Sequence, residues 1–185
     1  MPSEATLRRL AFIRYLYRLG LTQVRAPEPL VGSAILMFHD AIELFLHLAS
    51  EVLDVQSGRD FMDYFKSIND KLSPGQLAQQ ESIMRLNKSR VSLKHAGTFP
   101  SRLDLEDFET ATGAFFAENT PLIFGIPLES VSLAALIVNE QSRDAMRAAE
   151  SAMGSARTDR TIDLNLVGTR DSTSRSTDRG GLPNG

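Results

Sequence analysis

The chain has 185 residues, of which 42% are hydrophobic and 23% are charged. This balance is typical of globular proteins, and the length predicts one domain that can bury a core of its own. Cysteine is absent, which excludes disulfide bonds, thiolate zinc sites and cysteine nucleophiles. The formal net charge is −3, so any binding of nucleic acid has to depend on a local basic patch.

The N-terminal sequence does not have the pattern of a signal peptide, because Arg14 and Arg18 interrupt its apolar residues. The most apolar run, Val31 to Phe38, is much shorter than the roughly 18 to 20 residues that cross a bilayer. We therefore expect a cytoplasmic protein that has no membrane partner.

The spacing of apolar residues predicts an all-α fold, a helical bundle of about six helices. In the first helix, Thr6 to Val24, apolar residues recur at steps of three and four. The second, Pro29 to Leu53, is apolar on nearly every side, which indicates a central buried helix. A Ser-Pro pair at residues 73 and 74 is a typical helix start. The other predicted helices are Asp60 to Leu72, Ser73 to His95, Leu103 to Phe116 and Glu129 to Met153.

The composition changes after Gly154. Residues 155–185 are rich in Ser, Thr, Arg, Asp and Gly, and only residues 162–167 form an apolar patch. So little apolar surface does not offset the entropy that is lost when a segment becomes ordered. We expect a helical domain over residues 1–154 and a disordered tail over residues 155–185. The apolar patch is either a short partner-binding motif or has no specific role.

The stretch from Leu86 to Gly97, late in the fourth predicted helix, is the most informative for chemistry. Arg90 lies on the apolar stripe of this helix, where a guanidinium group is costly unless it is paired. Asp40 and Glu43, on the polar stripe of the second helix, are its expected partners. His95 follows five residues later, about 140° around an ideal helix. The two side chains share a face only if the helix unwinds near its end or the site lies at a junction of helices.

This stretch resembles the HEPN family of small helical domains, which carry an R-x4-6-H motif. The family often shows the pattern L-N-x-x-R-N-x-x-x-H-x-G, and five positions of this chain match it: Leu86, Asn87, Arg90, His95 and Gly97. One position departs, because Val91 stands where the family favours a small polar residue, often asparagine. That polar residue supports the catalytic pair in active members.

The resemblance implies a homodimer in which two motifs form one composite RNA-cleaving site without a metal ion or cofactor. In such a site the 2′-hydroxyl of RNA attacks the adjacent phosphodiester. His95 would act as general acid or base, and Arg90 would stabilise the phosphate. Asp40 or Glu43 would orient this pair. The resemblance also implies a role as a toxin or in phage defence, with an antitoxin or regulatory protein as partner.

A basic stretch surrounds the motif, since no acidic residue occurs between Ser82 and Leu103. The candidate RNA-binding residues in it are Arg85, Lys88, Lys94 and Arg102. Such a stretch is either a phosphate-binding surface or a solvated helix end.

Three functions stay open. The chain is a HEPN-like RNase, a non-catalytic HEPN-like module that binds RNA or protein and lost activity at Val91, or an unrelated helical interaction protein. In the last case Arg90 forms a buried structural ion pair.

A second group, His39, Glu43 and His47, recurs at steps of four along the second helix. Two imidazoles and a carboxylate can bind zinc or iron. However, residues 39 and 47 are about 12 Å apart along the helix axis, so all three cannot reach one ion. We therefore expect a polar seam between helices and no metal site. The chain also lacks P-loop, dinucleotide-binding and nucleophile-elbow motifs.

Overall fold

The computed structural model describes residues 1–56, 58, 60–137 and 140–152, and within these the protein has helices and no strand. The prediction of an all-α bundle is confirmed. Five long helices belong to one compact unit, Met1–Val138, and a sixth helix over residues 140–152 belongs to a second unit. The five are α1 (Glu4–Gln23), α2 (Ala34–Val52), α3 (Phe61–Leu72), α4 (Gln80–Ala96) and α5 (Arg102–Phe124).

The prediction that the second helix is central and buried is confirmed. α2 contacts each of the other four helices of its unit, and Phe45, near its middle, is fully buried. The Phe45 ring packs edge-on against three rings of α5, at centroid distances of 5.2 Å from Phe115, 5.8 Å from Phe116 and 5.4 Å from Phe124. A helix enclosed in this way has to be apolar around most of its circumference.

The same enclosure explains the hydropathy of this segment. By length and composition alone, Leu30–Val52 is apolar enough to cross a membrane, with a mean hydropathy of 1.4. The apolar segment is therefore longer than the run from Val31 to Phe38 suggests. In the structure 56% of the apolar 18-residue stretch within this segment is buried against the rest of the protein, as in the core helix of a bundle.

The fourth helix begins later than predicted, at Gln80 instead of Ser73. Asn119 of α5 accepts a hydrogen bond from Ala78 N–H (2.9 Å) and donates one to Ala78 C=O (3.3 Å). Asn69 of α3 accepts another backbone N–H of this loop, at 2.7 Å. Because these side chains satisfy backbone groups that otherwise need helical partners, the segment is a loop.

The fifth helix is longer than predicted. It continues past Phe116 and through Pro121 to Phe124, and ends at Gly125, whose φ of +72° suits glycine. Proline removes one backbone hydrogen bond from a helix. Burial of Phe124, which is only 7% exposed and packs on Phe45, offsets that loss.

The predicted helix from Glu129 to Met153 is wrong in its first part. Arg14 of α1 donates to Val131 C=O (2.6 Å) and pairs with Glu129 (3.2 Å). These contacts, with the burial of Val131, hold the segment against α1 in two short 3₁₀ turns, Leu128–Ser130 and Leu133–Leu136. Regular helix covers residues 140–152.

The predicted tail over residues 155–185, its apolar patch and the predicted boundary at residue 154 lie outside the described residues.

Candidate functional site

A buried histidine of the central helix connects three helices. His39 of α2 is only 2% exposed, and its ring stacks on Phe61 of α3 at a centroid distance of 4.7 Å. Its Nε2 lies 3.0 Å from Oδ1 of Asn87 on α4. An amide oxygen can only accept a hydrogen bond, so Nε2 carries the proton and donates it. The opposite ring nitrogen, Nδ1, then presents a lone pair.

Two carboxylates of the same helix face that lone pair. Asp40 Oδ1 lies 3.6 Å and Glu43 Oε2 lies 3.8 Å from His39 Nδ1. One oxygen from each carboxylate and the ring nitrogen all lie within 4.8 Å of one another. The carboxylate side chains are 49% and 42% exposed, so the group is buried on the imidazole side and open to solvent on the carboxylate side.

Arg90 is the positive charge of this region. It is half-buried, and its buried Nε has no hydrogen-bond partner among the described residues. The pKa of His39 lies below its ordinary value of 6.5, mainly because burial disfavours the charged imidazole and secondly because of the Arg90 charge. Glu43, the Asn87 hydrogen bond and Asp40 act in the opposite direction without cancelling the shift. The imidazole is therefore held in its neutral form near pH 7.

The expected ion pair of Arg90 with Asp40 or Glu43 is not formed in the described part of the chain. The helical stripes do bring the three residues to one region, since all three act on the pKa of His39. The carboxylates, however, contact the imidazole.

Arg90 and His95 do not meet within one chain. α4 is a regular helix as far as Ala96, so the five-residue separation keeps the two side chains about 140° apart. The unwinding that would align them does not occur, because Gly97, with a φ of +65°, caps the helix only after its last turn. His95 is exposed at this end, whereas Arg90 lies beside α2.

The four candidate RNA-binding residues are all exposed. Lys88 and Lys94 lie on α4, and Arg85, on the same helix, donates a hydrogen bond to Ser82 Oγ at 3.4 Å. Arg102, at the start of α5, has its Nε 3.4 Å from Glu106 Oε1. The four side chains therefore face solvent without sharing one helix face, because Arg85 and Lys94 are nine residues apart, about 180° around α4.

The third member of the His39, Glu43 and His47 group has a different partner. His47 Nδ1 lies 2.9 Å from the hydroxyl of Tyr64, in a contact between α2 and α3. Asp40 takes its place beside the other two. Sequence reasoning placed Asp40 on the polar stripe but missed that it lies beside His39. The spacing could have indicated that Asp40 joins Glu43 in this group, because residues 40 and 43 are one helical turn apart.

Compared with family models, curated proteins and solved structures, the chain has no match in any of the three.

Proposed function

We propose that this chain is a HEPN-like domain that binds RNA and cleaves it without a metal ion. The observation that carries the proposal is the guanidinium group of Arg90, which is half-buried beside α2 with its Nε unpartnered among the described residues. Nε itself is buried, so a phosphate would bind at the Nη groups of this half-buried side chain, and guanidinium groups bind phosphate through paired hydrogen bonds. The match of Leu86, Asn87, Arg90, His95 and Gly97 to the HEPN pattern supports the same reading.

In the proposed reaction the 2′-hydroxyl of RNA attacks the neighbouring phosphorus, and the 5′-oxygen of the next nucleotide leaves. His95 carries the proton that the 2′-hydroxyl releases to the departing 5′-oxygen, which an imidazole can do near neutral pH. Arg90 stabilises the charge that develops on the phosphate oxygens. Lys94, one turn beyond Arg90, and the exposed Arg85, Lys88 and Arg102 attract the RNA backbone.

The geometry of α4 supports a homodimer as the active species. Since Arg90 and His95 lie on different faces of one helix, they reach the same phosphate when each comes from a different chain. A two-fold axis near the end of α4 would give the composite site two catalytic pairs, each with the arginine of one chain and the histidine of the other.

The test is cleavage of total cellular RNA by the purified full chain in the presence of EDTA. Wild-type protein should cleave, and Arg90→Ala and His95→Ala should not. A mixture of the two variants should recover about a quarter of the wild-type activity, because half of the dimers are mixed and each keeps one intact Arg–His pair of the two. Arg18→Gln, at an exposed position of α1, is the control and should cleave normally. Failure of the mixture to recover activity would contradict the two-chain site.

Val91 favours a second candidate, a non-catalytic HEPN-like module that binds RNA or protein. This side chain is 41% exposed and offers no hydrogen bond at the position after Arg90. If wild-type protein binds RNA without cleaving it and Arg90→Ala abolishes binding, the module is the correct reading. If wild-type protein neither cleaves nor binds RNA, both RNA-directed candidates fail, and a protein-binding HEPN-like module or an unrelated helical interaction protein remains.

The toxin or defence role, with an antitoxin or regulatory protein as partner, is proposed together with the RNase. Expression of wild-type protein should arrest growth, and expression of Arg90→Ala should not. Growth arrest by both proteins would separate toxicity from RNA cleavage.

A further inference from the structure

Besides Arg90 Nε, a second buried atom beside the proposed RNA site lacks a partner in the described part of the chain, the Nδ1 atom of His39. His39 Nδ1 makes no hydrogen bond among the described residues, although the side chain is only 2% exposed. Because Nε2 donates to Asn87, Nδ1 presents its lone pair. A buried polar atom without a partner costs free energy, so such atoms usually mark a bound water, an ion or a functional group.

The surroundings of this atom select a cation. Carboxylate oxygens of Asp40 and Glu43 lie 3.6 Å and 3.8 Å from it, and neither is within hydrogen-bond distance. A lone pair and two negative charges therefore converge within 4.8 Å. Like charges this close repel each other unless a positive charge lies between them.

We infer that His39 Nδ1, Asp40 and Glu43 bind a divalent transition-metal ion of the Zn²⁺ or Co²⁺ type. One imidazole nitrogen and two carboxylate oxygens are ligands that these ions accept. Ligand atoms around tetrahedral zinc lie about 3.3 Å apart, so the half-exposed carboxylates need only a small rotation to close the site. Their exposure also leaves an entry path and room for a water ligand.

The rest of the site fits this occupant. Metal-bound histidines usually donate their other N–H to an acceptor that fixes the ring, and Asn87 Oδ1 is in that position. The charge of Arg90 opposes a cation, but two carboxylates outnumber it. The inference departs from the expectation of no metal site, because Asp40 and not His47 is the third ligand.

The experiment is titration of Co²⁺ into the full chain, free of any affinity tag and pretreated with a chelator. Wild-type protein should bind one ion per chain, seen by calorimetry and by the visible absorption of the bound cobalt. Asp40→Asn and Glu43→Gln, both at half-exposed positions that tolerate substitution, should each weaken binding by at least about tenfold, since even loss of an outer partner costs about 10–100-fold. Asn87→Ala should weaken Co²⁺ binding about tenfold, because Asn87 is the outer partner that holds the His39 ring.

Asp107→Asn, at an exposed position of α5, is the charge-matched control and should bind like wild type. Equal binding by all the variants, or no Co²⁺ binding by wild-type protein, would overturn the inference. A second measurement is the nitrogen NMR spectrum of His39 in metal-free protein with the imidazole neutral, where Nε2 should carry the proton and Nδ1 should not. A proton on Nδ1 would also overturn it. No RNA is present in these assays, so their failure leaves the proposed RNase untouched.

Discussion

Replacing Asn119 by alanine should weaken the attachment of the loop that precedes α4. Asn119 lies on α5 and is fully buried. Its amide oxygen accepts from Ala78 N–H at 2.9 Å and its amide nitrogen donates to Ala78 C=O at 3.3 Å. The two bonds bridge 41 positions of the sequence and hold the chain just before the helix that carries Arg90.

The size of the effect follows from these two bonds. Each contributes about 0.5–1.5 kcal/mol net, so Asn119→Ala should lower the free energy of unfolding by about 1–3 kcal/mol. Ala78 is only partly buried, so water can replace part of the lost bonding and the value should not exceed this range. In a protein of this size each kcal/mol corresponds to about 2–4 °C in the midpoint of thermal unfolding.

The assay is urea unfolding together with amide hydrogen exchange at Ala78. Exchange at this amide should become faster in Asn119→Ala, while exchange in the centre of α2 stays slow. The matched control is Thr120→Val, because the neighbouring Thr120 is equally buried and its hydroxyl has no partner among the described residues. Loss of that hydroxyl should cost nothing or stabilise slightly. If Asn119→Ala unfolds like wild type, or if Thr120→Val is the more destabilised variant, the reasoning is refuted.

Three further predictions concern the site. In metal-free protein, Arg90→Gln should raise the pKa of His39, because it removes a positive charge that disfavours the imidazolium. Glu43→Gln should lower that pKa, because it removes a negative charge that favours the imidazolium. Shifts in the opposite directions in an NMR titration would contradict this. The contribution of His39 to the free energy of unfolding should be constant above pH 6.5 and fall between pH 6.5 and its lowered pKa in the folded chain, because the unfolded chain there takes up a proton that the folded chain excludes. Urea unfolding across this range would test it, and a rise in stability as the pH falls would speak against it. Lys94→Gln should make the plot of the logarithm of the RNA-binding constant against the logarithm of the salt concentration less steep by about 0.7. The control is Lys66→Gln, at an exposed position of α3, which should leave the slope unchanged. Equal slopes for both variants would exclude Lys94 from the RNA contact.

For the proposed site, sequence reasoning was informative about position and less so about contacts. The periodicity of α2 and α4 was enough to bring Arg90, Asp40 and Glu43 to one region, and their joint effect on His39 agrees with this. The prediction that Arg90 pairs with one of these carboxylates was wrong, because the polar stripe of α2 does not reveal that the His39 ring lies within reach of both. Asn87 was noted only for its match to the HEPN pattern, and its hydrogen bond to His39 depends on how α4 packs against α2.

The sequence by itself determined the properties that depend on residues a few positions apart. The helical repeat of α1, the apolar circumference of α2 and the angle of about 140° between Arg90 and His95 all follow from local spacing. Only the tertiary structure decided where α4 begins and how α5 passes through Pro121. Those outcomes depend on side chains distant in sequence, such as Asn119 for the loop and Phe45 for the end of α5. Partners that are remote along the chain satisfy backbone groups or bury aromatic rings. Such contacts override the helix propensity of a segment when they stabilise the chain more than that propensity does.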